Sequence, residues 1–313
     1  MAYTVEVADL TKSYGATEVL RGVDLTIPAG TVHGMLGANG AGKTTLVRIL
    51  ATLIGYDGGT ARVAGHDVAR DARAVRGAVS LTGQYAAVDE VLTTRENLTM
   101  VARLRRLSGA ASAARTDELI SRFDLGAIAD RRATTYSGGQ RRRLDLAMSM
   151  VVPPTLLFLD EPTTGLDPRS RDQVWATVRE LADTGVTVLL TTQYLEEADQ
   201  LADRISVLDG GRIVAEGTPE ELKTQVAGEV VRLTYGDTAA YEAALATLRT
   251  PEVTADRVLL TVDVPTDGSP ESLRRLLDSL AVAGASPRRV GMHAPSLDDV
   301  FLTLTNPKQE ALR

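Results

Sequence analysis

The segment GANGAGKT, Gly37 to Thr44, decides the fold of this 313-residue chain. It matches the pattern of a glycine, four residues, then glycine, lysine and serine or threonine, which is typical of loops that bind phosphate groups. A short apolar run, Thr31 to Leu36, precedes it, and a helical pattern, LVRILATLIG, follows it. A strand, a glycine-rich loop and a helix in this order predict a nucleotide phosphate site and argue against a chance glycine-rich turn.

The residue types in this loop suit phosphate chemistry. Glycines let backbone N–H groups curl around phosphate oxygens, and the following helix directs its positive end at the same charge. Lys43 offers a point charge to the β and γ phosphates, and the Thr44 hydroxyl is a candidate ligand of Mg²⁺. The candidate nucleotide-binding residues in this part of the chain are Gly37, Ala38, Asn39, Gly40, Ala41, Gly42, Lys43, Thr44 and Thr45.

A second motif, LLFLDEP, ends an apolar run in two carboxylates, Asp160 and Glu161. A buried strand that ends in this way suits a nucleotide site at the carboxyl edge of a sheet. Asp160 is a candidate to hold Mg²⁺ through its water shell, and Glu161 to orient or polarise an attacking water. Alone, such a pair is more often a helix cap or a surface turn, but the phosphate loop upstream favours the catalytic interpretation.

Strand patterns alternate with helical patterns through the first two thirds of the chain, which predicts an α/β fold with a parallel sheet covered on both faces. Strands are expected at 3–8, 23–27, 31–36, 60–68, 78–82, 156–159 and 186–191, and helical patterns at 93–149, 170–183 and 195–202. After Leu222 the pattern changes, with strands expected at 228–235, 257–264 and 287–292 and helices at 238–249, 269–283 and from PSLDDVFL onward. We therefore expect domains at 1–222 and 223–313, the second a small α/β domain.

Composition excludes several classes of function. The net charge is −7 and the pI about 5.2, which disfavours nucleic acid as a partner because nucleic acid requires a basic face. The absence of cysteine excludes disulfides, thiol nucleophiles and Cys-ligated metals. No signal peptide is visible at MAYTVEVADL, and no apolar run approaches the ~18 residues that span a bilayer. If the protein works at a membrane, a partner is expected to supply the membrane-spanning part.

A third motif, YSGGQ, begins at Tyr136 and by itself predicts a turn before a helix, with Ser137 as the cap. With it, the order of motifs resembles the ATP-binding cassette (ABC) ATPases. The motifs that carry the resemblance are GANGAGKT, LTGQY with Gln84, YSGGQ, LLFLDEP, and GLD with Asp167. Position 136 is usually Leu in that family signature, so Tyr136 is a mild departure. The resemblance implies a P-loop nucleoside triphosphatase fold with a mixed sheet core and a helical signature subdomain at about 93–149.

The resemblance also implies a shared mechanism that uses ATP and Mg²⁺. Two such domains are expected to pack head to tail around two ATP molecules, the partner being a second copy of this chain or a related domain. In that arrangement Ser137 and Gly139 of one subunit would contact the γ-phosphate held by Lys43 of the other. The further residues expected at the nucleotide are Tyr14 stacked on adenine, Gln84 at Mg²⁺, Gly138 and Gln140 of the signature, and Asp167 as a bridge between subunits. A strand-end tyrosine without a ligand is an equally good interpretation of Tyr14.

Gln193, in TTQYLEEADQLADR, follows the apolar run VTVLL at the point where a strand gives way to a helix. The family usually places a histidine here, in contact with the γ-phosphate. A glutamine amide can donate a hydrogen bond to the same oxygen but cannot carry a positive charge. The expected catalytic residues are therefore Glu161 and Gln193.

The stretch around Gln193, together with EPTTGLDPRSR, YSGGQRRR and PSLDDVFL, resembles the daunorubicin-resistance type of drug-exporting ABC ATPases. That resemblance implies a cytoplasmic ATPase, peripheral to the inner face of the cell membrane, that partners a separate membrane-spanning permease. The expected function is ATP-driven export of a hydrophobic drug or antibiotic. The alternative is a soluble or regulatory ABC-type ATPase that acts as an ATP-gated clamp without transport, and turnover with and without a permease would separate the two.

Three further features have simpler interpretations. Arg141–Arg143 follow the signature on an expected helix, where a solvated basic face is the simplest interpretation. Trp175 lies on an amphipathic helix and is expected in the core. Glu196 and Glu197 open a helix and are expected to favour its positive end.

Overall fold

The computed structural model describes residues 2–83, 86–226, 230–248, 250, 253–293, 296–298, 300 and 301. The chain divides into two units, Met1–Pro219 and Glu220–Arg313. Strands of the first unit are β1 Tyr3–Tyr14, β2 Thr17–Pro28, β3 Val32–Leu36, β4 Gly58–Val63, β5 His66–Asp67, β6 Val79–Thr82, β7 Leu156–Asp160, β8 Thr187–Thr192, β9 Arg204–Asp209 and β10 Arg212–Gly217. Its helices are α1 Lys43–Leu50, α2 Ala72–Ala78, α3 Thr94–Leu104, α4 Gly109–Arg122, α5 Gly138–Ser149, α6 Pro168–Asp183 and α7 Leu195–Leu201.

Two sheets form the first unit. A four-stranded antiparallel sheet has the order β2-β1-β4-β5, and a six-stranded sheet has the order β10-β9-β3-β8-β7-β6. The strands from β9 to β6 run parallel, while β10 is antiparallel to β9. The mixture arises because β10 returns through a tight turn, whereas the parallel strands are joined by crossovers.

The central strands β3, β7 and β8 are buried along their whole length. Buried parallel strands read as continuous apolar runs, which is why they were visible in the sequence. In the register of β7 and β8, Asp160 pairs with Thr191. The carboxyl ends of β3, β7 and β8 therefore meet at one edge of the sheet, and the residues that follow each strand lie along that edge.

Helix α2 Ala72–Ala78 was not predicted, and the strand expected at 60–68 is interrupted by a turn at 64–65 that separates β4 from β5. Two hairpins of the first unit also differ from the sequence-based expectation. The polar stretch TKSYGATEVLRG was expected between two short strands, but β1 and β2 continue through it and form a long hairpin that turns at Gly15. The strands β9 and β10 were not predicted at all. Both regions are hairpins whose pairing supplies the backbone hydrogen bonds, so the weak apolar alternation of the sequence understates their strand character.

The stretch from Thr93 to Ser149 is helical in three pieces, α3, α4 and α5. Each helix begins with a side-chain cap: Thr93 with Glu96 in a capping box, Ser108, and Ser137 with Gln140 in a second capping box. Tyr136 is buried, and its hydroxyl contacts Thr94 Oγ1 at 2.7 Å. The Tyr136 hydroxyl also donates toward the backbone oxygens of Ile128 and Arg131 at 2.8 Å each. Tyr136 thus joins the start of α3 and the segment from Ile128 to Arg131 through a buried hydrogen-bonded junction.

The second unit contains β11 Val230–Thr234, β12 Thr254–Asp256, β13 Thr261–Pro265 and β14 Arg289–His293, with α9 Thr238–Thr247 and α10 Pro270–Val282; α8 Pro219–Val226 spans the division. Its antiparallel sheet has the order β12-β13-β11-β14. The expected strand at 257–264 is wrong in its first half, because residues 257–260 form the turn between β12 and β13. Most of the helix expected from Pro295 lies outside the described residues. None of the described helices has the length and apolar character of a membrane span.

Candidate nucleotide site

The glycine-rich loop connects the end of β3 to the start of α1. Gly42 is the N-cap of α1 with φ +112°, a backbone conformation that residues with a Cβ rarely adopt. A Cβ on Gly37 would lie 2.4 Å from the backbone oxygen of Leu208, so this position admits only glycine without movement of β9. Ala38, Asn39 and Gly40 are exposed. The backbone of the loop is therefore open to solvent in front of α1.

Lys43 is the first residue of α1 and is buried, with its ammonium turned back toward the loop. Its Nζ donates to the backbone oxygens of Gly37 at 2.6 Å and Ala38 at 3.0 Å. Burial lowers the pKa of Lys43, and the charges of Glu161 and Asp160 oppose that shift. The ammonium is thus fixed beside the loop by carbonyl groups and lies within the field of both predicted carboxylates.

Asp160, the last residue of β7, meets Thr44 at the start of α1. The Thr44 hydroxyl lies 3.2 Å from Asp160 Oδ2, and the Thr191 hydroxyl donates to Asp160 Oδ1 at 2.5 Å. Thr191 on β8 was not predicted as a site residue, although its place at the strand end is visible in the sequence. A hydroxyl and a carboxylate brought together are hard oxygen donors of the kind Mg²⁺ prefers. The donor chemistry of Thr44 and Asp160 therefore fits the expected metal.

Glu161 follows β7 directly and has φ +49°. A non-glycine residue at positive φ costs of order 1–3 kcal/mol and is concentrated at functional sites. The backbone N–H of Glu161 donates to the Thr191 oxygen at 3.0 Å, and the Thr164 hydroxyl donates to Glu161 Oε2 at 3.3 Å. Gln193 follows the end of β8 and is half-buried. Both predicted catalytic residues therefore lie at the same sheet edge as the phosphate loop.

The signature residues Ser137 to Gln140 form the first turn of α5. Ser137 Oγ accepts from the Gln140 N–H at 3.2 Å, and Gln140 Oε1 accepts from the Ser137 N–H at 3.0 Å. The expected capping role of Ser137 is confirmed by these two bonds. Gly138 and Gly139 follow inside the helix, and the helix start presents N–H groups with positive character.

Asp167 is the N-cap of α6, and its Oδ1 accepts from the Ser170 N–H at 3.0 Å. Tyr14 ends β1 and is half exposed, with Lys12 Nζ 5.5 Å from the centre of its ring. An exposed ring beside a cation is available for stacking on a base. Gln84 lies outside the described residues.

The chain is similar to several known proteins. A family model described as ABC transporter matches residues 20–164. A daunorubicin resistance ATP-binding protein of Streptomyces coeruleorubidus is 50% identical over 311 residues, covering 98% of this chain and 97% of that protein. A daunorubicin/doxorubicin resistance ATP-binding protein of Streptomyces peucetius is 51% identical, covering 96% and 92%. The Nod factor export ATP-binding protein I of Rhizobium meliloti strain 1021 is 38% identical, covering 96% and 88%.

The chain belongs to the ABC transporter family, among the ATP-binding proteins of the daunorubicin-resistance type. A solved ATP-binding subunit of an ABC transporter has a TM-score of 0.64 and 27% identity to this ABC ATPase, covering 71% of this chain and 92% of the solved one. The predicted family and fold class are confirmed. As a member of the family, this ABC ATPase binds and hydrolyses ATP.

Sequence reasoning missed three buried charges in this ABC ATPase. Arg142, expected on a solvated basic face, is 5% exposed, and Asp145 one turn later is 4% exposed. Glu197 lies in the first turn of α7 as expected, but its side chain is fully buried. Arg142 and Asp145 form an ion pair with 3.3 Å between Nη1 and Oδ2. The spacing of three residues on a helix was the available signal, but pairing alone does not indicate burial.

Glu197 links three parts of the ABC ATPase. Its Oε1 accepts from the Thr163 hydroxyl at 2.8 Å and from Trp175 Nε1 at 3.1 Å. Burial raises the pKa of Glu197, and the hydrogen bonds and the charge of Arg142 oppose that shift. Trp175 is in the core as expected. The carboxylate of Glu197 thus joins the loop after Glu161 to α6 and to the helix that follows Gln193.

Proposed function

We propose that this chain is the ATP-hydrolysing subunit of an exporter that moves a hydrophobic compound through a separate membrane-spanning permease, at the inner face of the cell membrane. The observation that carries the proposal is the near full-length similarity to ATP-binding proteins named for drug resistance and for export, at 50% and 38% identity. The similarity extends beyond residues 20–164, where the family model matches, into the second unit. The acidic chain offers no basic counterpart for nucleic acid as a partner.

The arrangement of the sheet edge supports a division of roles among the residues. The loop from Gly37 to Gly42 receives the phosphates with its N–H groups, and Lys43 neutralises the β and γ phosphates. Thr45, half-buried in the first turn of α1, adjoins the same phosphates. Glu161 orients the attacking water, and the Gln193 amide donates a hydrogen bond to a γ-phosphate oxygen. Tyr14 stacks on the adenine.

Mg²⁺ is proposed as the metal of this site. Thr44 and Asp160 would hold it, with Gln84 as the third protein residue. When bound with ATP, Mg²⁺ neutralises charge that develops on the phosphates. Thr191 donates to Asp160 and so fixes the carboxylate toward Thr44.

The working form is proposed to be a head-to-tail dimer that closes on two ATP molecules. Ser137, Gly138, Gly139 and Gln140 of one subunit face the phosphates bound by the other, and Asp167 bridges the subunits. The start of α5 supports this role, because the N–H groups of Gly138 and Gly139 lie in its first turn and the helix dipole favours a negatively charged ligand. We further propose that residues 1–222 form the nucleotide-binding domain and that residues 223–313 form an accessory domain for assembly.

Reconstitution tests the proposal. The neighbouring reading frames are searched for a membrane-spanning protein, which is purified with the chain, placed in lipid vesicles, and supplied with Mg²⁺-ATP and a fluorescent anthracycline. We expect ATP-dependent movement of the compound, lost in the Glu161→Gln variant, and faster ATP hydrolysis with the permease than without it. If the rate of hydrolysis is the same with and without the permease, and no hydrophobic compound moves, the alternative of an ATP-gated clamp without transport is supported instead.

A further inference from the structure

Helix α5 carries a buried ion pair that no role at the nucleotide accounts for. Arg142 and Asp145 are at most 5% exposed, and Arg142 Nη1 lies 3.3 Å from Asp145 Oδ2. Removing two charges from water is costly, so a buried pair of this kind is weak evidence for stability. The presence of the buried pair is better explained by the contacts that the two side chains make with other parts of the fold.

Besides the ion pair, each of the two side chains makes a hydrogen bond to the backbone of the segment after β6. Arg142 Nη1 donates to the backbone oxygen of Gly83 at 2.7 Å, and Asp145 Oδ1 accepts from the backbone N–H of Ala87 at 3.1 Å. Gly83 directly follows β6, which pairs with β7 in the main sheet. The two bonds therefore attach one point before Gln84 and one point after it to the same helix.

Further charges hold Arg142 in this position. Burial lowers the pKa of Arg142, and the charges of Asp145, Glu197 and Asp160 oppose that shift. The guanidinium is thus within the field of the carboxylate that ends β7 and of the carboxylate that joins α6 and α7. The orientation of Arg142 is fixed by its hydrogen bonds to Gly83 and Asp145.

We propose that Arg142 and Asp145 are positioning residues that couple the carboxyl end of β6 to helix α5, so that each nucleotide site sets the position of Ser137 on its own chain. Ser137 caps the start of this helix, and Arg142 lies five residues further, about 7.5 Å along the axis at 1.5 Å per residue. Because Ser137 serves the ATP of the other subunit under the proposed function, on which this inference rests, the pair connects the two sites of the dimer.

A charge exchange separates positioning from simple ion pairing. In the variant Arg142→Asp with Asp145→Arg, both charges remain on α5, but a carboxylate faces the Gly83 oxygen and a guanidinium faces the Ala87 N–H. Both backbone bonds are lost while the ion pair is kept. The measurement is ATP-induced dimer formation by light scattering in full-length Glu161→Gln chains, with ATP affinity of the monomer measured by titration with a fluorescent ATP analogue.

We expect the exchange to leave monomer affinity for ATP within about threefold of the parent and to weaken dimer formation at least tenfold, because the two bonds that attach α5 to the segment after β6 are lost. A dimer as tight as the parent's would overturn the proposal. Equal losses in monomer affinity and dimer formation would also overturn it, because they indicate general damage to the fold.

A matched pair of variants applies if the exchanged chain does not fold. Asp145→Asn keeps an oxygen that can accept from the Ala87 N–H, whereas Asp145→Leu has similar size and no acceptor. We expect the asparagine variant to dimerise and the leucine variant to lose at least tenfold in dimer affinity; equal behaviour contradicts the proposal. If the wild-type dimer closes normally on ATP but no export is observed, the proposed function is contradicted. The proposed role of Arg142 and Asp145 is not affected by that result.

Discussion

Gly139 lies so close to Ser170 that a Cβ on the glycine would come within 2.4 Å of the serine Oγ and 2.8 Å of its Cβ. Gly139 is the second residue of α5 and Ser170 the third residue of α6. The Ser170 hydroxyl in turn donates to Asp167 Oδ2 at 2.7 Å. The starts of the two helices are therefore in direct contact, and the signature glycine and Asp167 share one neighbour.

This contact predicts a loss of activity with a specific rescue. Gly139→Ala should lower ATP hydrolysis about tenfold, since overpacking of a tight contact costs ~1–3 kcal/mol. Adding Ser170→Gly removes both clashing atoms and should restore part of the rate. The measurement is hydrolysis at saturating Mg²⁺-ATP for both variants. If the double variant is as slow as the single one, the role of Gly139 is contact with nucleotide and not packing.

Lys43→Ala should weaken ATP binding at least tenfold and abolish turnover. Its ammonium is held between the Gly37 and Ala38 oxygens, and the phosphates lose a charge-assisted partner without it. Titration with a fluorescent ATP analogue measures the affinity. Arg48→Ala removes an exposed cation from the same helix and should leave affinity unchanged. Wild-type affinity in Lys43→Ala would place the nucleotide elsewhere.

The two residues after β7 and β8 should differ in their effect on hydrolysis. Glu161→Gln should keep ATP binding and stop turnover, because the amide preserves shape but cannot polarise water. Gln193→Ala should slow turnover about tenfold, since one neutral hydrogen bond is worth ~0.5–1.5 kcal/mol. Gln193→His should be tolerated, because an imidazole N–H can donate to the same oxygen. The measurement is the single-turnover rate of ATP hydrolysis for the three variants and wild type. An unchanged rate in Gln193→Ala would mean that the glutamine has no part in catalysis.

Tyr136→Phe should destabilise the first unit by ~1–3 kcal/mol with little effect on ATP affinity, because the Thr94 N–H loses a buried acceptor, and the Thr94 hydroxyl loses its contact. Urea unfolding of the full chain measures the change. Tyr194→Phe, at an exposed tyrosine, should stay within ~0.5 kcal/mol of wild type. Equal effects of the two substitutions would show that the Tyr136 junction contributes nothing specific.

Acid should destabilise the protein through His33. This side chain is fully buried on β3, its Nε2 lies 2.8 Å from Ser206 Oγ, and burial, aided by the charge of Arg204, lowers its pKa from 6.5 to about 4. The unfolded state therefore binds a proton before the folded state does, and stability present above pH 6.5 is lost as the pH falls toward 4. The loss attributable to His33 is roughly 3 kcal/mol.

The pH experiment compares variants, because another group titrates in the same range with the opposite sign. Burial raises the pKa of Asp145 to about 6, so its contribution to stability falls as the pH rises from about 4 to 6. The free energy of unfolding is measured from pH 4 to 7 for wild type, His33→Gln and the exposed control His66→Gln. His33→Gln alone should lose less stability on acidification; a slope equal to wild type would show that His33 does not titrate as a buried group.

Much of the fold could be predicted because apolar pattern and motif agree at the sheet centre. The continuous apolar runs of β3, β7 and β8 are stable only when buried in the centre of a sheet. Because these strands are parallel, their carboxyl ends lie at the same edge. That geometry was enough to place Lys43, Asp160 and Glu161 at one edge. The hairpin β9–β10 escaped prediction because pairing partners, which a single sequence does not show, determine strand formation there.

The burial of the charged residues Arg142 on α5 and Glu197 on α7 could not be predicted, for a different reason. Arginine is almost always exposed, so Arg142 was expected on a solvated face, and Glu197 was expected only to favour the positive end of its helix. Their burial depends on partners that are distant in sequence: Gly83 for Arg142, and Thr163 with Trp175 for Glu197. No local pattern records such a contact, and only the assembled sheet and helices bring the groups together.

Under the proposed function, in which Glu161 orients the attacking water, the positive φ of Glu161 sets protein stability against catalytic activity. A glycine would adopt φ +49° without the cost that a Cβ brings, so Glu161→Gly would relieve strain and could yield a more heat-resistant chain that no longer hydrolyses ATP. Folding alone would favour that replacement. A search for thermostable variants that scores only melting temperature would therefore favour inactive proteins at this position, and any such search must also select for turnover.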